Sequence, residues 1–150
     1  MDNRPAETRA KEPKRSCTVV CVTDQLRCAR IIRAGRTVAD MTDTDLAVIN
    51  VCTSMRANNP AAMEYLFRVS VDYGGEMAVL YSDSVAKAIT RYIKRHRVAF
   101  VVSGVPQPND SIITKMWRKF THITFFMVEE SGELCEVNRT MMQNWEKVRA

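Results

Sequence analysis

What the sequence lacks narrows it before any motif is read. No uncharged apolar run approaches the roughly 18 residues that a membrane-crossing helix needs. The N-terminal residues are charged and have no apolar core of the kind a secretory leader carries. There are two histidines in 150 residues, His96 and His122. They stand isolated near element ends, which offers no metal cluster and no general base with an evident partner. Cysteine is sparse and odd in number, at five: Cys17, Cys21, Cys28, Cys52 and Cys135. None forms a CxxC pair or stands near a histidine, which argues against a zinc site. Most lie inside apolar runs, as thiols buried in a reducing cytoplasm do. Glycine is also scarce, at five, and there is no complete P-loop, dinucleotide fingerprint or nucleophile elbow. With no paired carboxylates beside a base, no catalytic constellation forms. A binding or signalling module is expected, not an enzyme.

Charge is moderate. The chain is 46% hydrophobic and 26% charged with a net charge of +5, ordinary for a soluble globular protein. Two of those positive charges belong to residues 1–15, a polar stretch with Pro5 and Pro13 that reads as a disordered lead-in. The +3 left on residues 16–150 is too thin to argue for nucleic acid, so no DNA partner is expected. One domain over 16–150 is long enough to bury a core. No internal repeat or low-complexity segment interrupts it.

What is present is a series of short, uncharged, β-rich runs separated by amphipathic stretches. The runs are Thr18-Val19-Val20-Cys21-Val22, residues 46–51, residues 77–81, residues 98–102 and residues 123–128. Between them, helical spacing places apolar residues at Leu26, Ala29, Ile32 and Val38, then at Met63, Leu66, Phe67 and Val71. It does so again at Val85, Ala88, Ile89, Tyr92 and Ile93, and at Ile112, Ile113, Met116 and Phe120. Gly35 lies inside the first of these helices, where a glycine often marks close packing. Asn58-Asn59-Pro60 is a helix start with proline at the first helical position, and Ser82-Asp83-Ser84 is another cap. Five such strands alternating with helices predict an α/β fold, a doubly wound five-stranded parallel sheet with helices on both faces. A hairpin-like extension, residues 134–137, and a last helix from Arg139 to Arg149 follow it.

In an open sheet of this kind ligands bind beyond the carboxyl ends of the strands, where the strand order reverses. The candidates are therefore Thr23-Asp24, Asn50-Val51, Ser82-Asp83, Ser103-Gly104 and Glu129-Glu130. The stretch Val98–Thr114 has the most to offer. A buried strand stops at Ser103-Gly104, a loop passes Pro106 and Pro108, and Asn109, Asp110 or Ser111 caps the next helix. Such a helix start can hold an anion. A phosphoacceptor receiver domain would use Asp83 and Ser103. It also needs an acidic pair after the first strand and a lysine after the fifth, and the chain has only Asp24 and no such lysine. Asp24 is either a cap of the first helix or a ligand contact.

The segments TVVCVTDQLRCARIIRAGRTVA, LAVINV, NNPAAMEYLF, EMAVLYSDSVAKAI and VAFVVSG, taken in that order over residues 16–128, resemble the universal stress protein family. They are similar above all to the universal stress domain of potassium-sensing sensor histidine kinases. The resemblance implies a cytoplasmic domain, often a homodimer, that binds ATP or another adenine nucleotide in stress or osmotic signalling; some relatives take a cyclic dinucleotide. It implies that Val22, Thr23 and Asp24 lie near adenine and ribose and that Val51 lines the adenine pocket. Ser103, Gly104, Gln107, Asn109 and Ser111 fall on the phosphate loop. The family's G-x2-G-x9-G-[S/T] motif is kept here only at Gly104. Gln107 takes the second glycine's place, and Trp117 and Arg118 take the last two. The alternative is a structural or protein-interaction domain of the same fold that binds no nucleotide. The apolar fifth strand needs a partner or a cover at its edge, either a second copy or the 134–137 segment with the last helix.

Overall fold

The computed structural model describes residues 15–107 and 112–149, the side chains of 146–149 excepted. The lead-in expected over residues 1–15 lies outside the described residues save for Arg15, which pairs with Asp43 at 2.7 Å. In chain order the elements are β1 (Cys17–Cys21), a single 3-10 turn (Leu26–Cys28), α1 (Ala29–Thr42), β2 (Asp45–Cys52), α2 (Pro60–Asp72), β3 (Glu76–Tyr81) and α3 (Val85–Arg95). They continue with β4 (Val98–Gly104), α4 (Ile112–Lys119), β5 (Thr124–Val128), β6 (Leu134–Val137) and α5 (Arg139–Arg149).

The strands form one sheet of order β3-β2-β1-β4-β5-β6. The first five run parallel, and β6 returns antiparallel to β5, with Val128 opposite Leu134. The five parallel strands are as expected, and the hairpin-like extension joins the same sheet as its sixth strand, which makes the sheet mixed. Its turn is closed by the Glu129 N–H donating to the Glu133 carbonyl at 2.9 Å and the Gly132 N–H to the Glu129 carbonyl at 2.8 Å. Of the two covers expected for the β5 edge, a second copy or the 134–137 segment, the structure shows the second. With β4 on one side and β6 on the other, β5 has no open edge to offer a second copy, and the chain itself supplies the cover.

Successive strand residues point to opposite faces, so a buried parallel strand feeds two cores at once. Val20, Val48, Val102 and Val128 pack under α1 and α2 with Ile32, Val38 and Leu66. Val19, Ile49, Val101 and Phe125 face the other way and meet Ile89, Ile93, Ile113 and Trp117 of α3 and α4. Trp145 of α5 stands edge-on to Trp117 with ring centroids 5.4 Å apart. Local signals set the helix ends. The Asn59 side chain accepts from the N–H groups of Ala61 and Ala62 ahead of Pro60, and Ser84 accepts from Lys87. Gly74 closes α2 at φ +74°, a conformation that costs other residues strain.

Candidate functional site

β1 lies at the centre of the sheet with β2 on one side and β4 on the other. From β1 the chain first winds out to β3 and then crosses back to β4, so the crevice between the ends of β1 and β4 is the switch point of the fold. A cleft of about 920 Å³ opens there. Ligand pockets run from roughly 300 to 1,000 Å³, so it has room for a nucleotide-sized molecule. Val22, Thr23, Asp24, Val51, Ser103, Gly104 and Gln107 all line it. Asn109 and Ser111 lie outside the described residues.

Asp24 departs from one of its two expected roles. It does not cap its own helix, since the 3-10 turn after β1 has no side-chain cap. Its Oδ2 accepts from the backbone N–H of Asn59 at 2.7 Å, and its Oδ1 receives Arg56 at 2.8 Å. Asn59 is the cap of α2, so Asp24 ties the end of β1 to the start of a different helix and frames the 53–58 loop. The side chain is 2% exposed while that of Arg56 is 64% exposed. The Asn59 N–H, and after it Arg56, hold the Asp24 carboxyl below its usual range, although burial pushes the other way. Asp24 therefore shapes the cleft wall. Both of its oxygens already have donors.

Asn50 is buried beside it. Its Nδ2 donates to the Val22 carbonyl at 3.0 Å, and its Oδ1 accepts from Asn58 at 3.0 Å. The Val22 N–H donates to the Ile49 carbonyl. The ends of β1 and β2 are thus locked together, and one wall of the cleft is rigid. Cys21 also lines the cleft, and burial pushes its thiol up to about 12. Of the five cysteines only Cys28 is fully buried; the other four are partly exposed.

The cleft also takes residues that the strand-end rule did not single out. Arg27 and Arg30 reach over it from the turn after β1 and from the first turn of α1. Arg30 is braced by two carbonyls, its Nε donating to Glu129 at 3.0 Å and its Nη1 to Arg27 at 2.8 Å. Its Nη2 lies 3.8 Å from where a Cβ on Gly104 would stand, so a guanidinium overhangs the loop after β4. Arg27 pairs loosely with Glu130 at 3.6 Å. Asn58 and Arg56 come from the β2–α2 loop. A signal was present in QLRCARIIR, where arginines at i and i+3 of a helix start share a face. It became legible only once that start was placed over the cleft.

The receiver arrangement is ruled out by topology. β3 is an outer edge, with β2 and β1 between it and β4. At about 4.8 Å per strand, Asp83 stands about 14 Å from Ser103. Asp83 instead holds Ser54, accepting from its N–H at 2.8 Å and its hydroxyl at 2.7 Å.

Compared by sequence, the chain matches no family model and no curated protein. Compared by structure it is similar to several universal stress proteins. One from Burkholderia pseudomallei superposes with TM-score 0.53 at 14% identity, over 75% of this chain and 95% of the other. One from Archaeoglobus fulgidus superposes with TM-score 0.50 at 14% identity, over 63% and 78%. A universal stress protein crystallised in complex with cAMP superposes with TM-score 0.50 at 12% identity, over 69% and 82%. A switch-point cleft on a sheet of this order, together with these likenesses, gives the chain the universal stress protein fold.

Proposed function

We propose that this chain is a binding module for an adenine nucleotide, held in the switch-point cleft and used in stress or osmotic signalling without chemistry of its own. The observation that carries the reading is the mixed lining of the cleft. Asn50, Thr53 and Asn58 offer amide and hydroxyl groups, and Ile49, Val51, Ile89 and Ile113 offer apolar surface, the mixture that suits a flat heterocycle and a ribose. Arg27 and Arg30 line the same cleft together with Glu129 and Glu130, and Arg30 stands beside Gly104. A structural neighbour that holds cAMP supports the same ligand class.

The phosphates are placed differently from the glycine-loop mode. Pro106 has no N–H to donate, and Gln107 puts a side chain where a glycine would let backbone approach. In this reading Arg30, braced in place, supplies the countercharge that backbone N–H groups supply elsewhere.

Thermal unfolding with ATP, AMP, cAMP, cyclic di-adenylate and adenosine tests both parts. A ligand at a hundred times its Kd adds about 2.7 kcal/mol, which at this size raises Tm by about 5–10 °C. No shift with any of the nucleotides at millimolar concentration removes the nucleotide reading. Arg30→Ala is expected to weaken ATP about 10- to 100-fold, as loss of a charge-assisted hydrogen bond does, and to leave adenosine unchanged. Equal loss for both ligands would place the phosphates elsewhere. Recovery of the ATP intact after prolonged incubation is the outcome expected of a module without catalysis. A homodimer of this domain would meet at an outer edge of the sheet, β3 or β6, and its mass in solution decides that.

A further inference from the structure

All seven charges on α3 and α4 are positive: Lys87, Arg91, Lys94 and Arg95 on the first, Lys115, Arg118 and Lys119 on the second. The two helices lie side by side on one face of the sheet. A groove of about 540 Å³ runs between them, and six of those seven side chains line it, the exception being Arg118. All six are exposed. On α3 they recur at i, i+4, i+7 and i+8, one stripe two turns long, and on α4 at i and i+4, one turn. The floor is small and neutral: Ala86, and Thr90 with its hydroxyl 3.7 Å from the Met116 sulfur. The net charge that looks thin when averaged over the sequence is concentrated on one surface, which no average could reveal.

We propose that this groove binds a single strand of nucleic acid through its phosphates, without reading the bases. Six like charges on two facing banks make a concave positive field that draws in a linear polyanion. The groove is a surface furrow about two helical turns long, roughly 12 Å, along which a flexible single strand can bend to meet both banks, whereas a duplex is stiff on that scale. The lining has no Asn, Gln or aromatic ring, and its Lys and Arg side chains are assigned to phosphates, contacts that carry no sequence information. A membrane surface fits less well. Among the described residues, none of the exposed large apolar side chains, which include Met55, Tyr65, Phe67, Val79 and Tyr81, belongs to α3 or α4 or lines the groove, and insertion into a bilayer calls for such side chains. The groove and the nucleotide cleft have no lining residue in common, so the two sites are separable.

Fluorescence anisotropy of the whole chain with a labelled 15-nucleotide oligo(U) or oligo(dT) tests this. Each phosphate contact on a single strand contributes roughly −0.7 to the slope of log affinity against log salt. Four or more contacts then weaken binding about 50-fold between 50 and 200 mM NaCl. The double variant Arg91→Glu/Lys94→Glu is expected to lose at least tenfold in affinity. Lys115→Ala/Lys119→Ala is expected to flatten the slope by about 0.7 per lysine removed. Arg33→Glu/Arg68→Glu makes the same change in net charge on α1 and α2 and is expected to leave binding within about twofold of the parent. Circular dichroism checks that each variant is folded, and all the altered side chains are exposed. Saturating ATP is expected not to compete. No binding at 50 mM salt, an equal loss in the remote variant, or tighter binding to a duplex or to phosphatidylserine vesicles would each overturn the proposal.

Discussion

Asp24→Ala is expected to lower the melting temperature by about 5–10 °C, more than any single change among the cleft's exposed charges. The buried carboxylate accepts a backbone N–H from Asn59 and a guanidinium from Arg56. Hydrogen bonds to a charged acceptor contribute about 1.5–3 kcal/mol each, and removing the acceptor leaves the Asn59 N–H without its partner. The guanidinium matters less because its side chain is mostly in water, so Arg56→Ala is expected to cost under about 1 kcal/mol. The total for Asp24→Ala is therefore about 2–3 kcal/mol, and a domain of this size loses roughly 2–4 °C per kcal/mol. Because Asn59 caps α2, the loss is expected to loosen the 53–58 loop as well, so nucleotide affinity falls with stability. Equal Tm values for Asp24→Ala and Arg56→Ala would show that the Asn59 contact carries no weight.

The same carboxylate sets the sign of a pH dependence. Its folded pKa lies below the usual carboxylate value because of Asn59 and Arg56. Its contribution is fully present above the unfolded value of about 4. It is lost as pH falls through the depressed folded value. Urea unfolding of the parent is expected to weaken below about pH 4, and Asp24→Asn is expected to flatten that limb of the profile.

The strands and helices were legible because their signals are local. Runs such as residues 98–102, uncharged and β-branched, have one good destination, a strand covered on both faces. Asn59-Pro60 and Ser84 cap helices as their chemistry dictates. The Leu134–Val137 segment was visible as a returning strand. Whether it paired within the chain or left β5 open depended on long-range contact that no periodicity encodes. The site was legible to the extent that topology determines it: strand ends at a central β1 meet at one crevice. What that reading missed came from partners distant in sequence. Asp24 and Asn59 are 35 positions apart, and the Arg30 brace at Glu129 spans 99. The basic groove was hidden for a related reason, since Lys94 and Arg95 are cations in the last turn of a helix, where the helix dipole alone accounts for them, and only the fold sets Lys115 and Lys119 beside them.

Gly35→Ala carries the other large expected effect, and its sign is the informative part. In an ordinary helix interior alanine is favoured over glycine by about 0.5–1 kcal/mol, because the glycine chain loses more freedom on folding. Here α1 rests directly on the sheet at that residue, and a Cβ would stand inside the Cγ2 methyl of Val20, with Leu46 Cδ1 at 3.2 Å. Val20 is fully buried on the central strand, and a β-branched side chain has few rotamers into which to retreat. Either α1 lifts from the sheet or Val20 leaves its well, an overpacking cost of about 1–3 kcal/mol. The net expectation is a loss of about 1–2 kcal/mol where propensity alone forecasts a gain. Val20→Ala by itself also destabilises, by removing buried methyl groups. Combined with Gly35→Ala it vacates the space the new Cβ needs, so the double variant is expected to be more stable than the two single losses added together. A coupling of at least about 0.5 kcal/mol in that cycle, read from chemical denaturation, is the signature of direct contact. A coupling of zero would mean that helix and sheet do not meet at this point, and α1 would then have no structural need for a glycine.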